Sequence, residues 1–170
     1  MLALRGRDEH GWTKEELARA VAAANEAAER AAAQGVRFAV ENADVALDGR
    51  SRSYYGITEL LEATAPAVLL QLDTANLFTG SVPVTPEQAE KFIKKYASRV
   101  SYLHLKSARD GKALPVLDGN PLDFKTILSI LAGHGTQYIA IELAPGGNAE
   151  QVYANMKAGL DGLRAEGLLR

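Results

Sequence analysis

The sequence predicts an α/β fold, the (β/α)4 half of a (β/α)8 barrel, with parallel strands and helices on the outer face only. Three observations lead there. Short apolar runs alternate with helix-periodic segments in the order α, then βα four times, and short connections in such an alternation imply a parallel sheet with right-handed crossovers. All four strands end on a polar side chain, at Glu41, Asp73, His104 and Glu142, about one βα unit of roughly 30–40 residues apart. The two faces of the strands also differ in composition, which separates a barrel wall from an open doubly wound sheet, the default at this length.

The elements follow in order. Thr13 to Gln34 is a helix, capped by Thr13 with Glu16 three residues on and stopped by Gly35. Val36 to Glu41 is the first strand. A polar loop, Asn42 to Ser53, leads to a short helix at Ile57 to Thr64, halted by Pro66. Ala67 to Asp73 is the second strand, and Thr85-Pro86-Glu87 opens the next helix with a cap and a proline at its first position. Val100 to Leu105 is the third strand, followed by a long loop with Gly111, Pro115 and Gly119. A helix from about Pro121 to Ala132 ends at Gly133-His134-Gly135, Gln137 to Leu143 is the fourth strand, and Asn148 to about Glu166 closes the chain. With no linker or low-complexity tract, residues 1–170 read as a single domain.

Side chains alternate faces along a strand. Counting back from the terminal polar residues, one face carries Arg37, Ala39, Glu41; Leu69, Gln71, Asp73; Val100, Tyr102, His104; and Tyr138, Ala140, Glu142. The other carries Val36, Phe38, Val40; Val68, Leu70, Leu72; Ser101, Leu103, Leu105; and Ile139, Ile141, Leu143. A doubly wound sheet buries both faces under helices and wants both aliphatic. A barrel packs helices on one face and turns the other to its lumen, so parity favours the barrel.

In a parallel sheet the four strand-end residues share the C-terminal edge, where α/β proteins place their sites. Three carboxylates and an imidazole converging there repel one another unless a divalent cation sits among them. Oxygen-rich ligation with one nitrogen suits Mn²⁺ or Mg²⁺, with Co²⁺ or Zn²⁺ as alternatives. For any one residue the plainer reading is a strand end or a partner for a lysine; the agreement of all four argues for the metal site.

Composition narrows the partners. Lys and Arg number 19 against 21 acidic residues, a net charge of −2, so no basic surface speaks for nucleic acid or an acidic membrane. Zero cysteines exclude disulfides and thiolate chemistry and suit the cytoplasm. No apolar run approaches the roughly 18 residues of a membrane span, and no signal-peptide stretch opens the sequence.

The segments Phe38-Ala-Val-Glu41-Asn42, Leu72-Asp73-Thr74-Ala-Asn76, Tyr102-Leu-His104-Leu-Lys106 and Ile139-Ala-Ile-Glu142 resemble the xylose isomerase-like TIM barrel superfamily of sugar phosphate isomerases and epimerases, which includes ketose 3-epimerases. Asp118-Gly-Asn-Pro-Leu-Asp-Phe124 and Gly133 to Tyr138 are similar to the family's last βα unit. The likeness runs from about Thr13 to the end and covers the C-terminal half of such a barrel. It implies one divalent metal held by Glu41, Asp73, His104 and Glu142, with Glu41 and Glu142 also serving as proton acceptor and donor on opposite sides of a substrate carbon. The expected activity is isomerisation or epimerisation of a sugar, sugar phosphate or polyol by proton transfer next to a carbonyl.

Four departures accompany the likeness. Asn76 stands where many relatives have a histidine; its amide can bond a sugar hydroxyl but cannot shuttle a proton at neutral pH. Arg109 falls one residue short of an arginine six beyond the histidine ligand, a place taken by Asp110. Ser107 replaces an aspartate, leaving Lys106 to meet an anionic group. Asn76, Lys106 and Arg109 are thus the substrate-binding candidates. The first four βα units are missing, with Met1 to Leu4 at most the tail of a preceding strand.

Other features weigh less. Arg50 and Arg52 beside Ser51 and Ser53 would suit a phosphate or a solvated loop, Gly146-Gly147 an anion at a helix start or a plain turn, and His10 and His134 lie in loop-like contexts. The competing function is a non-catalytic metal-binding half-barrel, a fragment or split-gene product needing a partner. A nuclease resembling endonuclease IV ranks last, because three histidines in all are too few for its three-metal site. Four strands leave two open edges, and a lumen face with Tyr102, Tyr138, Leu69 and Val100 bare to water; a homodimer completing the barrel is the expected assembly, a separate N-terminal half the alternative.

Overall fold

The structure, a computed structural model, describes residues 12–42, 56–79, 84–136 and 138–168. Four parallel strands form one sheet: β1 (Phe38–Glu41), β2 (Val68–Asp73), β3 (Val100–Leu105) and, after a two-stranded hairpin of β4 (Ala108–Arg109) and β5 (Lys112–Ala113), β6 (Tyr138–Ile141). Its spatial order is β1-β2-β3-β6. Every crossover therefore steps to the next strand in the same direction, as in a barrel wall. A doubly wound sheet would reverse direction once.

The helices are α1 (Lys14–Ala33), α2 (Ile57–Ala63), α3 (Pro86–Tyr96), α4 (Phe124–Leu131) and α5 (Ala149–Ala165). Their starts follow the sequence signals. Thr13 and Thr85 each accept from the third helical N–H, at 3.2 and 3.3 Å, while Glu16 and Gln88 reach back to the cap N–H. The α4 start differs from expectation: Asp123 caps it by accepting from the Thr126 N–H at 2.8 Å, so Pro121 and Leu122 stay outside the helix.

Val40, Val68, Leu70, Leu72, Leu103 and Leu105 are buried in the core, on the face assigned to the helices. Ala20, Ala24 and Ala28 let α1 lie close to this layer, and α3 adds Phe92, Ile93 and Tyr96. Val100 is a correction: placed on the lumen face by parity, it is buried in the core at 2% exposure. The register explains it. Leu70 pairs with Val100 but Gln71 pairs with Tyr102, so a bulge at Ser101 shifts the alternation by one residue.

The long loop after β3 also holds more structure than expected. Asp110 and Gly111, both at positive φ, turn β4 into β5. Asn120 fastens the loop to this hairpin, its side-chain oxygen accepting from the Ala108 N–H at 3.2 Å while its amide donates to the Leu122 carbonyl at 2.7 Å. Among the described residues no helix is long and apolar enough to cross a membrane. Met1 to Leu4, His10, Arg50 and Arg52 lie outside the described residues.

Candidate metal centre at the strand ends

Glu41 and Asp73 are the last residues of β1 and β2, and His104 is the last but one of β3, paired with Asp73. Each offers a donor atom within 4.8 Å of the others. Their placement is fixed by polar side chains in the adjacent turns. Asn42 continues the β1–β2 ladder with its side chain, accepting from the Asp73 N–H at 2.7 Å and donating to the Asp73 carbonyl at 3.0 Å. Thr74 ties β2 to β3: its hydroxyl donates to the Lys106 carbonyl at 2.6 Å and accepts from the Lys106 N–H at 2.9 Å, while its own N–H donates to the His104 carbonyl at 3.1 Å. Both residues stand inside the motifs quoted above, but a fixing role for either needs the register between strands, which spacing along one chain does not give.

Asp73 uses one carboxylate oxygen locally. Oδ1 accepts from the Ala75 and Asn76 N–H groups at 2.8 and 2.9 Å, an Asx turn that holds the carboxylate in place. Oδ2 is buried and, among the described residues, has no hydrogen-bond partner; the Lys106 ammonium stands 3.7 Å away. A buried carboxylate oxygen left open in a cluster of two further donors fits a divalent cation, and the oxygen-rich set fits a hard one.

Glu142 lies one residue beyond β6, with its N–H donating to the Leu105 carbonyl at 3.0 Å. Its oxygens are shared between His104 Nδ1 at 2.7 Å and Lys106 Nζ at 2.6 Å, so it joins the cluster from the rim. Gln71, two residues before Asp73 on the same face, brings its amide nitrogen within 3.4 Å of the His104 ring nitrogens, and Tyr102 meets that ring edge-on with centroids 5.0 Å apart. Gln71 was visible in the sequence only as a polar lumen residue.

The substrate candidates divide. The Asn76 amide donates to Glu41 Oε1 at 3.5 Å and Lys106 bonds Glu142, so both sit at the cluster. Arg109 sits on the hairpin with its guanidinium against Gly119, where even a methyl group would meet Nη2 at 2.0 Å. Among the described residues it makes no recorded contact with the four strand-end groups. Behind the cluster, the lumen face opens into a cavity of about 470 Å³ bordered by Gln71, Tyr102 and Tyr138.

Burial raises the Glu41 carboxyl above its usual range, and the Asp73 charge adds to the rise. Asp73 is likewise raised by burial, against the backbone bonds that favour its charge. Glu142 goes the other way. Burial would raise it, but the Lys106 hydrogen bond and the charges of Lys106 and His104 together hold it below the ordinary carboxylate value. For Lys106 itself, burial works to lower the ammonium, and Glu142 with the Asp73 and Glu41 charges outweighs it. Environments pushed in opposite directions within one cluster are a mark of sites rather than of solvated strand ends.

Residues 1–164 match the family model of the xylose isomerase-like TIM barrel. The chain belongs to that family. Several solved structures are similar to it in fold. A sugar phosphate isomerase/epimerase from Parabacteroides distasonis superposes with a TM-score of 0.72 at 17% identity, covering 98% of this chain and 56% of that one. A D-allulose 3-epimerase from Methylomonas sp. gives 0.61 at 18% identity over 94% of this chain and 58% of its own. A xylose isomerase domain protein from Alicyclobacillus acidocaldarius gives 0.57 at 19% identity, with 94% and 62% covered. The chain thus spans little more than half the length of these solved chains. A comparison with curated proteins finds no match.

Proposed function

We propose that the protein is a divalent-metal-dependent isomerase or epimerase of a sugar, sugar phosphate or polyol, acting by proton transfer next to a carbonyl. The observation that carries this reading is the convergence of Glu41, Asp73 and His104 donors within 4.8 Å, where Asp73 Oδ2 has no hydrogen-bond partner among the described residues. These three would hold the ion, with Glu142 as a fourth donor from the rim; Mn²⁺ is favoured, with Mg²⁺, Co²⁺ or Zn²⁺ as alternatives. When bound, the ion supplies Lewis-acid polarisation of substrate oxygens.

The remaining chemistry belongs to the chain. Glu41 and Glu142 stand on the outer two of the four strands and flank Asp73 and His104, so a substrate carbon between them can lose a proton to one carboxylate and regain it from the other. Asn76 and Lys106 lie beside them and suit hydroxyl or anionic groups of the substrate. Arg109 is retained as a substrate contact only for a ligand long enough to reach the hairpin. The absence of cysteine fits a cytoplasmic site of action.

A second reading, a non-catalytic half-barrel, has its own observation: the chain covers 56% of a solved chain of similar fold, and among the described residues β1 and β6 each have one neighbour in the sheet. A second copy, related by a twofold axis along the barrel, would complete the wall. Two measurements test the function together. Mn²⁺ should bind the wild type and not a variant with alanine at Glu41, Asp73, His104 and Glu142; equal affinity would remove the site assignment. A panel of ketoses turned over in deuterated water should gain deuterium at the reacting carbon. Full retention of hydrogen would replace proton transfer by a hydride shift, and no turnover by a metal-binding protein would favour the second reading.

A further inference from the structure

Lys106 points into the acidic cluster instead of toward water. Its side chain is 14% exposed, and its Nζ lies 2.6 Å from Glu142 Oε1 and 3.7 Å from Asp73 Oδ2. The aim is set by the backbone, because the Thr74 hydroxyl bonds both the N–H and the carbonyl of Lys106. An exposed lysine pairs with a carboxylate loosely and at little gain. This one is half-buried between two carboxylates of a site that the fold has already gathered.

The charges add to a definite result. Glu41, Asp73 and Glu142 set three acidic groups against the single ammonium of Lys106, so the cluster is left acidic and has room for the charge of a further cation. Glu142, meanwhile, is occupied by Lys106 and His104, while the other two carboxylates and the imidazole share the donor cluster.

We infer that Lys106 is the resident counter-cation of this site: its ammonium draws one oxygen of Glu142 away from Glu41 and Asp73 and competes with a divalent ion for the carboxylates' negative charge. The inference rests on the metal-site reading above. It gives Lys106 a positioning role distinct from binding substrate. The lysine keeps the cluster tolerable without metal, keeps the metal exchangeable, and leaves Glu142 available to handle a proton.

Calorimetric titration of the full chain with Mn²⁺ tests it, comparing wild type with Lys106→Gln, Lys106→Arg and the double variant Lys106→Gln/Glu142→Gln. Glutamine keeps a donor for Glu142 and removes the charge. Lys106→Gln should bind Mn²⁺ about tenfold tighter or more, Lys106→Arg should stay close to wild type, and the double variant should lose much of the gain. Without metal, Lys106→Gln should melt below wild type, and Mn²⁺ should raise its Tm by more. Should it fold only when Mn²⁺ is present, metal and lysine are interchangeable cations, as inferred. Failure to fold even with Mn²⁺, or unchanged or weaker binding by a folded variant, overturns the inference while wild-type binding leaves the metal site standing. Absence of Mn²⁺ binding in wild type and variant alike removes both.

Discussion

At Asp73 a single carboxylate does two jobs, and its two oxygens divide them. Oδ1 closes the turn through Ala75 and Asn76, and Oδ2 is left open toward the other donors. Asp73→Ala therefore removes a donor and the turn bond that aims its neighbours, whereas His104→Ala removes one donor only. Mn²⁺ affinity should fall in both and further in Asp73→Ala, by titration; the reverse order would move the centre of the site to the imidazole. Arg99 is the structural counterpart, away from the cluster. Its guanidinium is half-buried and collects the Val68 and Leu61 carbonyls, the Thr64 hydroxyl at 2.9 Å and the Ala65 carbonyl at 3.1 Å, closing the carbonyl end of α2 onto the start of β2. Burial pulls its pKa below the usual guanidinium value, but a guanidinium remains charged at any physiological pH. One ammonium cannot reach this spread of acceptors, so Arg99→Lys should lose about 2–3 kcal/mol in urea unfolding; a loss within error would make the fork dispensable. Residues of the first kind were legible in the sequence because their type and strand-end position announce them. Asn42, Thr74, Gln71 and Arg99 were not, since each earns its role from a neighbour on another strand or helix.

Helix α5 is held along one narrow stripe. Asn155 donates to the Pro115 carbonyl at 2.8 Å, Gly159 lies against Leu117, and Leu163 is buried, each four residues from the last. Tyr153 and Met156 on other faces are exposed. The two glycines of this helix should consequently respond in opposite ways to alanine. At Gly162 a Cβ meets nothing within 4 Å, so Gly162→Ala should gain about 0.5–1 kcal/mol of helix propensity and raise Tm by roughly 2–4 °C. At Gly159 a Cβ would stand 2.8 Å from Leu117 Cβ, an atom too near the backbone to swing aside. Gly159→Ala should lower Tm despite the same propensity gain; a rise in both would mean that the 115–117 loop yields freely. The α4 cap adds a pH-dependent case. The Thr126 N–H and hydroxyl hold the Asp123 carboxyl below its usual value. Its folded value being lower than its unfolded one, about 3.9, the cap contributes fully above that pH and is lost as pH falls through the folded value. Asp123→Ala should cost about 1 kcal/mol at neutral pH, and the stability difference between wild type and Asp123→Asn should shrink below about pH 4 in urea titrations. A difference constant down to pH 2 would show that the charge contributes nothing.

For the whole molecule, strand spacing and parity suffice to mark a barrel wall, since only the wall turns one face of every strand away from helices. Parity failed where β3 carries its bulge: Val100 rejoins the core and leaves the lumen face less apolar than a strict alternation would make it. Within the sheet, the outer strand β6 carries two of the exposed large apolar side chains. Tyr138 is 61% exposed on the lumen face, against Tyr102 at 6.4 Å between ring centroids, and Ile139 is 40% exposed on the helix face of the same strand, where α5 covers it thinly. An outer parallel strand with a large apolar side chain bare on each face is a pairing edge without the charges or proline that usually guard one. A second copy can cover it, and pairing β6 of one copy with β1 of the other across a twofold axis would bring eight strands into one wall. The cost is electrostatic, because two acidic clusters then share one mouth, and each needs its lysine or an ion to be tolerated. Light scattering at micromolar concentration should give a dimer of the 18.2 kDa chain, and its Tm should rise with protein concentration. Tyr138→Glu, harmless on an exposed monomer surface, should shift the population to monomer and abolish that rise. A wild-type monomer with a cooperative, concentration-independent transition would mean that four βα units stand alone, and the pairing of β6 with β1 would have to be given up.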